Sequence, residues 1–136
     1  MKTPIIDKMA NIEEYLQDIK KYKPKSYSEY INNKQVRYSL ERLVQLVIDL
    51  ALDINNIIIK QEGDYPAKDY YTSFIKLVEL NVLDEEFAYD IAPSTGLRNR
   101  IVHEYEKVND KIVYESLEKI YDYYKEYLQK VNEYID

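Results

Sequence analysis

The chain of 136 residues has no cysteine, two glycines, four prolines and a single histidine. Without cysteine there is no disulfide framework and no thiolate metal site, and a reducing compartment poses no difficulty. So little glycine and proline leaves too few turn residues for an all-β fold. No stretch approaches the ~20 apolar residues of a membrane span, and residues 1–7 hold no apolar run of signal-peptide length, so no membrane association and a cytoplasmic location are expected. A Gly-rich phosphate loop is absent. One histidine with scattered carboxylates gives no recognisable zinc site, and acidic pairs such as Glu85-Glu86 read as solvated helix positions, so neither a metal nor a cofactor is expected. Nothing identifiable would orient His103 toward a serine, which removes nucleophilic schemes.

What is present points to helices. The length suits one domain over residues 1–136 with a real core, and 46% of the residues are apolar, sixteen tyrosines included. Apolar residues recur at three- and four-residue steps in three long segments. The first carries Ile5, Met9, Ile12, Leu16 and Ile19, opens after Thr3-Pro4 and is stopped by Pro24. The second is read as one helix from about Ser28 to Gln61, through Val36, Leu40, Leu43, Val47, Leu50, Ile54 and Ile57. Leu46, Ile48 and Ala51 widen its apolar face, so its middle is expected to be buried on more than one side, and Gly63 closes it. A shorter helix spans about Lys68 to Glu79. Asp84 caps the next, which Pro93 and Gly96 are expected to kink or interrupt. The last begins near Asn109-Asp110 and runs through Val113, Leu117, Ile120, Tyr124, Tyr127, Val131 and Ile135. Short connections between amphipathic helices predict an all-α, antiparallel up-and-down bundle. Tyr114, Tyr121 and Leu128 form a second stripe on the last helix; base stacking is conceivable, but a half-buried helix face is the commoner reason for such tyrosines.

The formal charge is −6. Broad nucleic-acid binders carry an extended basic face, so any contact with nucleic acid here has to be local. Arg98 and Arg100 are candidates. Lys20, Lys21, Lys23 and Lys25 read more simply as a solvated helix end, favoured by the negative pole of the dipole.

The residues richest in chemistry are Arg98-Asn99-Arg100-Ile101-Val102-His103-Glu104-Tyr105. His103 is the one side chain whose ordinary pKa lies near neutrality. Arg98 is a permanent cation suited to a phosphate, and Tyr105 adds a hydroxyl. Asn99 and His103, four apart, are neighbours on one helix face, where Asn99 can bond the imidazole or a phosphate oxygen. Arg98 and His103, five apart, diverge by about 140° on a regular helix. Either the helix unwinds by His103, or two copies of the motif face each other. Metal-independent RNA cleavage needs a base for the 2′-hydroxyl, an acid for the leaving 5′-oxygen and a cation for the charge on phosphorus. One histidine cannot readily serve as acid and base at once, which favours the paired arrangement.

Arg98, His103 and Tyr105 spell R-x(4)-H-x-Y, and the block from Gly96 to Tyr105 resembles, almost residue for residue, the core of the HEPN-domain toxins that accompany a minimal nucleotidyltransferase antitoxin in prokaryotes (HepT-like toxins). The helices before and after the block are similar too, so the resemblance covers nearly the whole chain. It implies a homodimeric, HEPN-like helical bundle and the toxin of a type VII-like toxin–antitoxin system. It implies a metal-independent endoribonuclease whose composite cleft takes Arg98, Asn99 and His103 from both protomers. It further implies an RNA substrate, and neutralisation by a partner nucleotidyltransferase that adenylylates Tyr105. The alternative is a catalytically inert HEPN adaptor that binds nucleotide or protein, which the acidic charge suits; a plain helical assembly protein is a third reading.

Overall fold

In the computed structural model, which describes residues 2–103 and 108–136, the chain forms seven helices and no strand among those residues. They are α1 Lys2–Tyr22, α2 Tyr27–Ile31, α3 Lys34–Gln61, α4 Tyr70–Glu79, α5 Glu85–Ile91, α6 Ser94–His103 and α7 Asp110–Ile135. The all-α bundle expected from periodicity is what forms. Helices α1, α3 and α7 pack side by side, and side-chain pairings give their directions. Lys125 reaches Glu13 at 2.8 Å, and Gln17 donates to the Tyr121 hydroxyl at 3.2 Å. The pairs shift in opposite senses along the two chains, so α1 and α7 are antiparallel. Arg37 meets Asp110, and Tyr127 meets Ala51 and Asn55, so α3 and α7 run parallel.

The helix read as continuous from Ser28 to Gln61 is broken. A short α2 ends at Asn32, and Asn33 restarts the chain as the N-cap of α3, its side chain accepting from the Val36 amide at 3.0 Å. An asparagine oxygen that satisfies an orphan amide favours a new helix start over continuation. Proline 93 does separate α5 from α6, but Gly96 interrupts nothing and lies inside α6. Asp69, rather than Lys68, sets the start of α4, accepting from Thr72 at 2.7 Å. Asp84 caps α5 as read from the sequence, and α7 starts where expected, with Asn109 as its N-cap. The end of α3 is sealed by Gly63 at φ 79°, a left-handed conformation that glycine adopts without cost.

The core is one continuous cluster. Ile5, Ile12, Leu16 and Ile19 from α1 meet Leu40, Val44, Val47, Ile48, Ala51, Ile54 and Ile58 from α3, with Val113, Leu117, Ile120 and Val131 from α7. The width of the apolar face of α3 matches its position, for it touches α1, α2, α4, α6 and α7. The second stripe of α7 packs in the ordinary way. Tyr114 donates to the Pro24 carbonyl at 2.8 Å, and its ring sits among Tyr27 and Tyr30. Leu128 is buried. Lys20 and Lys23 lie over the Tyr121 and Tyr114 rings, as solvated lysines with stems on an aromatic face.

Tyrosine also fills the interior. Phe74, Tyr124 and Tyr127 form an edge-on aromatic group at 5.8–6.4 Å between ring centres. Burial pushes the hydroxyl pKa of both tyrosines up, so they stay neutral. Each hydroxyl has a partner. Tyr127 donates to Asn55 Oδ1 at 2.5 Å, with the Ala51 carbonyl at 3.0 Å beside it; Asn55 Nδ2 donates to Ser73 Oγ at 3.0 Å, and Ser73 donates to the Tyr70 carbonyl at 2.7 Å. Asn55 and Ser73 are fully buried, so this network ties α3, α4 and α7 together where no water could replace it. Asn55→Ala should therefore cost about 2–3 kcal/mol in urea unfolding, because it removes the bonds to Tyr127 and Ser73 and leaves a buried space, and Tyr127→Phe about 1–3 kcal/mol, because it leaves the buried Asn55 Oδ1 without its donor.

Candidate active site

Helix α6 carries Arg98, Asn99, Arg100 and His103. Its start is anchored twice. Thr95 donates to the Ala92 carbonyl at 2.8 Å, and Ser94 donates to the Ile91 carbonyl at 2.7 Å. Because Ser94 has spent its one proton there, Tyr124 is the donor in their 2.6 Å contact, which ties the start of α6 to the buried centre of α7. Leu97 and Ile101, four residues apart, are buried and fix the rotation of the helix. That rotation sends Asn99, Arg100 and His103 outward, all three exposed.

Arg98 is turned the other way. Its Nε donates to Asp49 Oδ1 of α3 at 2.7 Å, and the guanidinium carbon lies 4.7 Å from the centre of the Tyr70 ring, at the start of α4. Asp49 Oδ2 accepts from Gln45 Nε2 at 3.5 Å, and Arg98 Nη1 donates to Asn99 Oδ1 at 3.4 Å. The Arg98 side chain is 12% exposed and that of Asp49 31%. The arginine is thus clamped on three sides: a carboxylate holds Nε, an aromatic face supports the plane, and Asn99 lies beside Nη1. Such a clamp fixes where the remaining Nη donors point, and a cation with a fixed direction can bind a tetrahedral oxyanion at little entropic cost.

The helix does not unwind by His103, which is the last residue of α6. Arg98 and His103 therefore keep the divergence expected from helical geometry, one held toward α3 and α4, the other exposed. Asn99 has its Oδ1 engaged with Arg98 rather than with the imidazole. Tyr105 lies outside the described residues.

Residues 12–131 match the family model described as ribonuclease HepT-like. The chain belongs to that family. A tRNA nuclease HepT from Aphanizomenon flos-aquae (strain 2012/KM1/D3) is 33% identical over 124 residues, 91% of this chain and 84% of the relative. Among solved structures, the tri-AMPylated Shewanella oneidensis HEPN toxin in complex with its MNT antitoxin superposes with a TM-score of 0.87 at 22% identity, covering 97% of this chain and 98% of that one. YutE from Bacillus subtilis, a cytosolic protein of unknown function, superposes with a TM-score of 0.85 at 16% identity, over 98% and 90% of the two chains. At such identities the superpositions show a shared fold and nothing about chemistry.

Asp49, Gln45 and Tyr70 were not singled out from the sequence. Asp49 had a readable signal: it is a carboxylate in the middle of Val47-Ile48-Asp49-Leu50-Ala51, the part of α3 expected to be buried on several sides. A charge in such a place demands a counter-charge. Asp49→Asn keeps the shape and removes that counter-charge. It should lower stability by about 1–2 kcal/mol, a charge-assisted bond discounted for partial exposure, as read from the denaturation midpoint.

Proposed function

We propose that this protein is the toxin of a toxin–antitoxin pair: a metal-independent endoribonuclease that acts as a homodimer in the cytoplasm and is silenced by adenylylation of Tyr105 by a partner nucleotidyltransferase. The observation that carries the reading is the clamped Arg98 beside an outward-facing Asn99 and His103, on one helix of a chain in the ribonuclease HepT-like family. The relative that is a tRNA nuclease supports RNA as the substrate.

In this reading the two copies of His103 face one cleft. One neutral imidazole takes the proton of the 2′-hydroxyl as that oxygen attacks phosphorus. The partner's imidazolium gives its proton to the departing 5′-oxygen, so the products are a cyclic 2′,3′-phosphate and a 5′-hydroxyl end. Arg98, oriented by Asp49, carries the charge that builds on the non-bridging oxygens, and Asn99 donates to one of them. The Shewanella toxin, tri-AMPylated in complex with its antitoxin, supports the mode of silencing. An adenylate on Tyr105, two residues from His103, brings negative charge and bulk to a site built for RNA phosphates and competes with them at high effective concentration. The inert-adaptor reading has one observation in its favour, a formal charge of −6 that disfavours broad RNA binding.

His103→Ala separates the two readings. His103 is exposed, so the variant should fold as the wild type does while RNA cleavage falls by at least two orders of magnitude. Wild-type cleavage should persist in chelator and leave cyclic phosphate ends. Full activity of the alanine variant, or a strict need for magnesium, would contradict the mechanism. Tyr105→Phe should leave cleavage largely intact but abolish the gain of adenylate mass on co-expression with the partner; equal gain in both proteins, by intact-mass measurement, would remove Tyr105 as the acceptor.

A further inference from the structure

Next to the motif helix is a cavity of about 460 Å³, lined by Arg37, Tyr38, Glu41, Arg42 and Gln45 of α3 together with Ile101 of α6 and Asp110 of α7. Its volume is in the range of small-molecule sites. Tyr38, Arg42, Gln45 and Asp49 step along α3 by four, three and four residues and so share one face. Gln45 bonds Asp49, and Asp49 holds Arg98. The cavity and the motif are therefore successive stations on one polar stripe, with Arg42 about 10 Å along the helix axis from Asp49.

The contents of the cavity are chemically specific. Two cations face two carboxylates, so it is no simple sink for anions. Arg37 is engaged with Asp110 at 3.3 Å, and its buried Nε–H has no hydrogen-bond partner among the described residues. Burial, and after it the neighbouring Asp110, raise the pKa of the Glu41 carboxyl, while Arg37 opposes the rise. Gln45 points its Nε2 at Asp49 and keeps its carbonyl oxygen as an acceptor. Arg42 is exposed and joins no ion pair among the described residues. The Tyr38 ring is 56% exposed although large aromatics are normally covered, with the Arg37 guanidinium carbon 5.7 Å and Lys34 Nζ 5.6 Å from its centre. An aromatic face, an unpaired cation and one amide acceptor match a nucleotide better than a bare phosphate.

We propose that this cavity binds one nucleotide unit of the RNA strand flanking the scissile linkage, with the base against Tyr38, its edge bonded to Gln45, and its phosphate on Arg42. The choice of RNA as the strand rests on the ribonuclease reading, so the test measures binding apart from cleavage. The full chain is titrated into a fluorescent octanucleotide carrying 2′-O-methyl groups throughout, which cannot be cut. Anisotropy should show Arg42→Ala and Tyr38→Ala each weakening binding by about tenfold, with Arg42→Lys retaining most of the affinity. Circular dichroism and sedimentation should match the wild type, since both side chains are exposed. Displacement of the octanucleotide by AMP alone would identify a free mononucleotide as sufficient, and failure of AMP to displace it would identify the strand. Wild-type affinity in both alanine variants, no binding by the wild type, or loss of binding accompanied by a changed sedimentation coefficient would overturn the proposal; the last outcome would make this face a protein interface. Arg42-dependent binding without any RNA cleavage by the wild type would keep the nucleotide site and overturn the ribonuclease reading.

Discussion

Polar side chains that α3 turns toward its neighbours have to be paired, and the neighbours are placed by the pairing. Asn55 is fully buried, and its two ends are met by Tyr127 of α7 and Ser73 of α4. Six residues earlier Asp49 is met by Arg98 of α6 and Gln45 of α3 itself. An unpaired amide or carboxylate at either place would cost several kcal/mol, which is a large part of the whole stability of a domain. The apolar contacts supply most of the cohesion of the bundle, and these two polar nodes add directional ties that seat α4, α6 and α7 against α3.

The candidate site follows from the second node. Arg98 is half of a structural ion pair and at the same time the cation of the motif. The Asp49 carboxylate, the Tyr70 ring and Asn99 Oδ1 beside Nη1 take three sides of the guanidinium and fix its direction. A local cation so held reconciles an acidic chain with a phosphate-bearing substrate: the attraction is short-ranged and directional rather than spread over a basic face. The same stripe of α3 continues to Arg42 and Tyr38, so the face that steadies Arg98 also carries these two exposed side chains.

Those parts of the fold governed by periodicity were legible in the sequence. The apolar steps of α1, α3 and α7, the cap at Asp84 and the start of α7 near Asn109-Asp110 lie where the pattern put them. The break at Asn32-Asn33 was not legible, because apolar residues continue through Tyr30, Ile31 and Val36 at helical spacing while the deciding event is one side-chain bond to the Val36 amide. Gly96 was over-read as a breaker: in α6 it sits behind Ser94 and Thr95, whose own bonds hold the turn, and the cost of an interior glycine is only ~1 kcal/mol. Helical geometry correctly separated Arg98 from His103. It could not supply Asp49, since a pairing across 49 residues of sequence has no periodic signature.

Proton transfer shared between two copies of His103 is tested most directly in mixed dimers, in which one protomer is wild type and the other is His103→Ala, isolated by two different affinity tags. If base and acid come from different chains, one missing imidazole disables the whole cleft. Turnover per mixed dimer should then fall by about two orders of magnitude, close to the level of the double variant. A mixed dimer retaining half of the wild-type rate would show that each chain completes its own site, and would contradict the shared cleft.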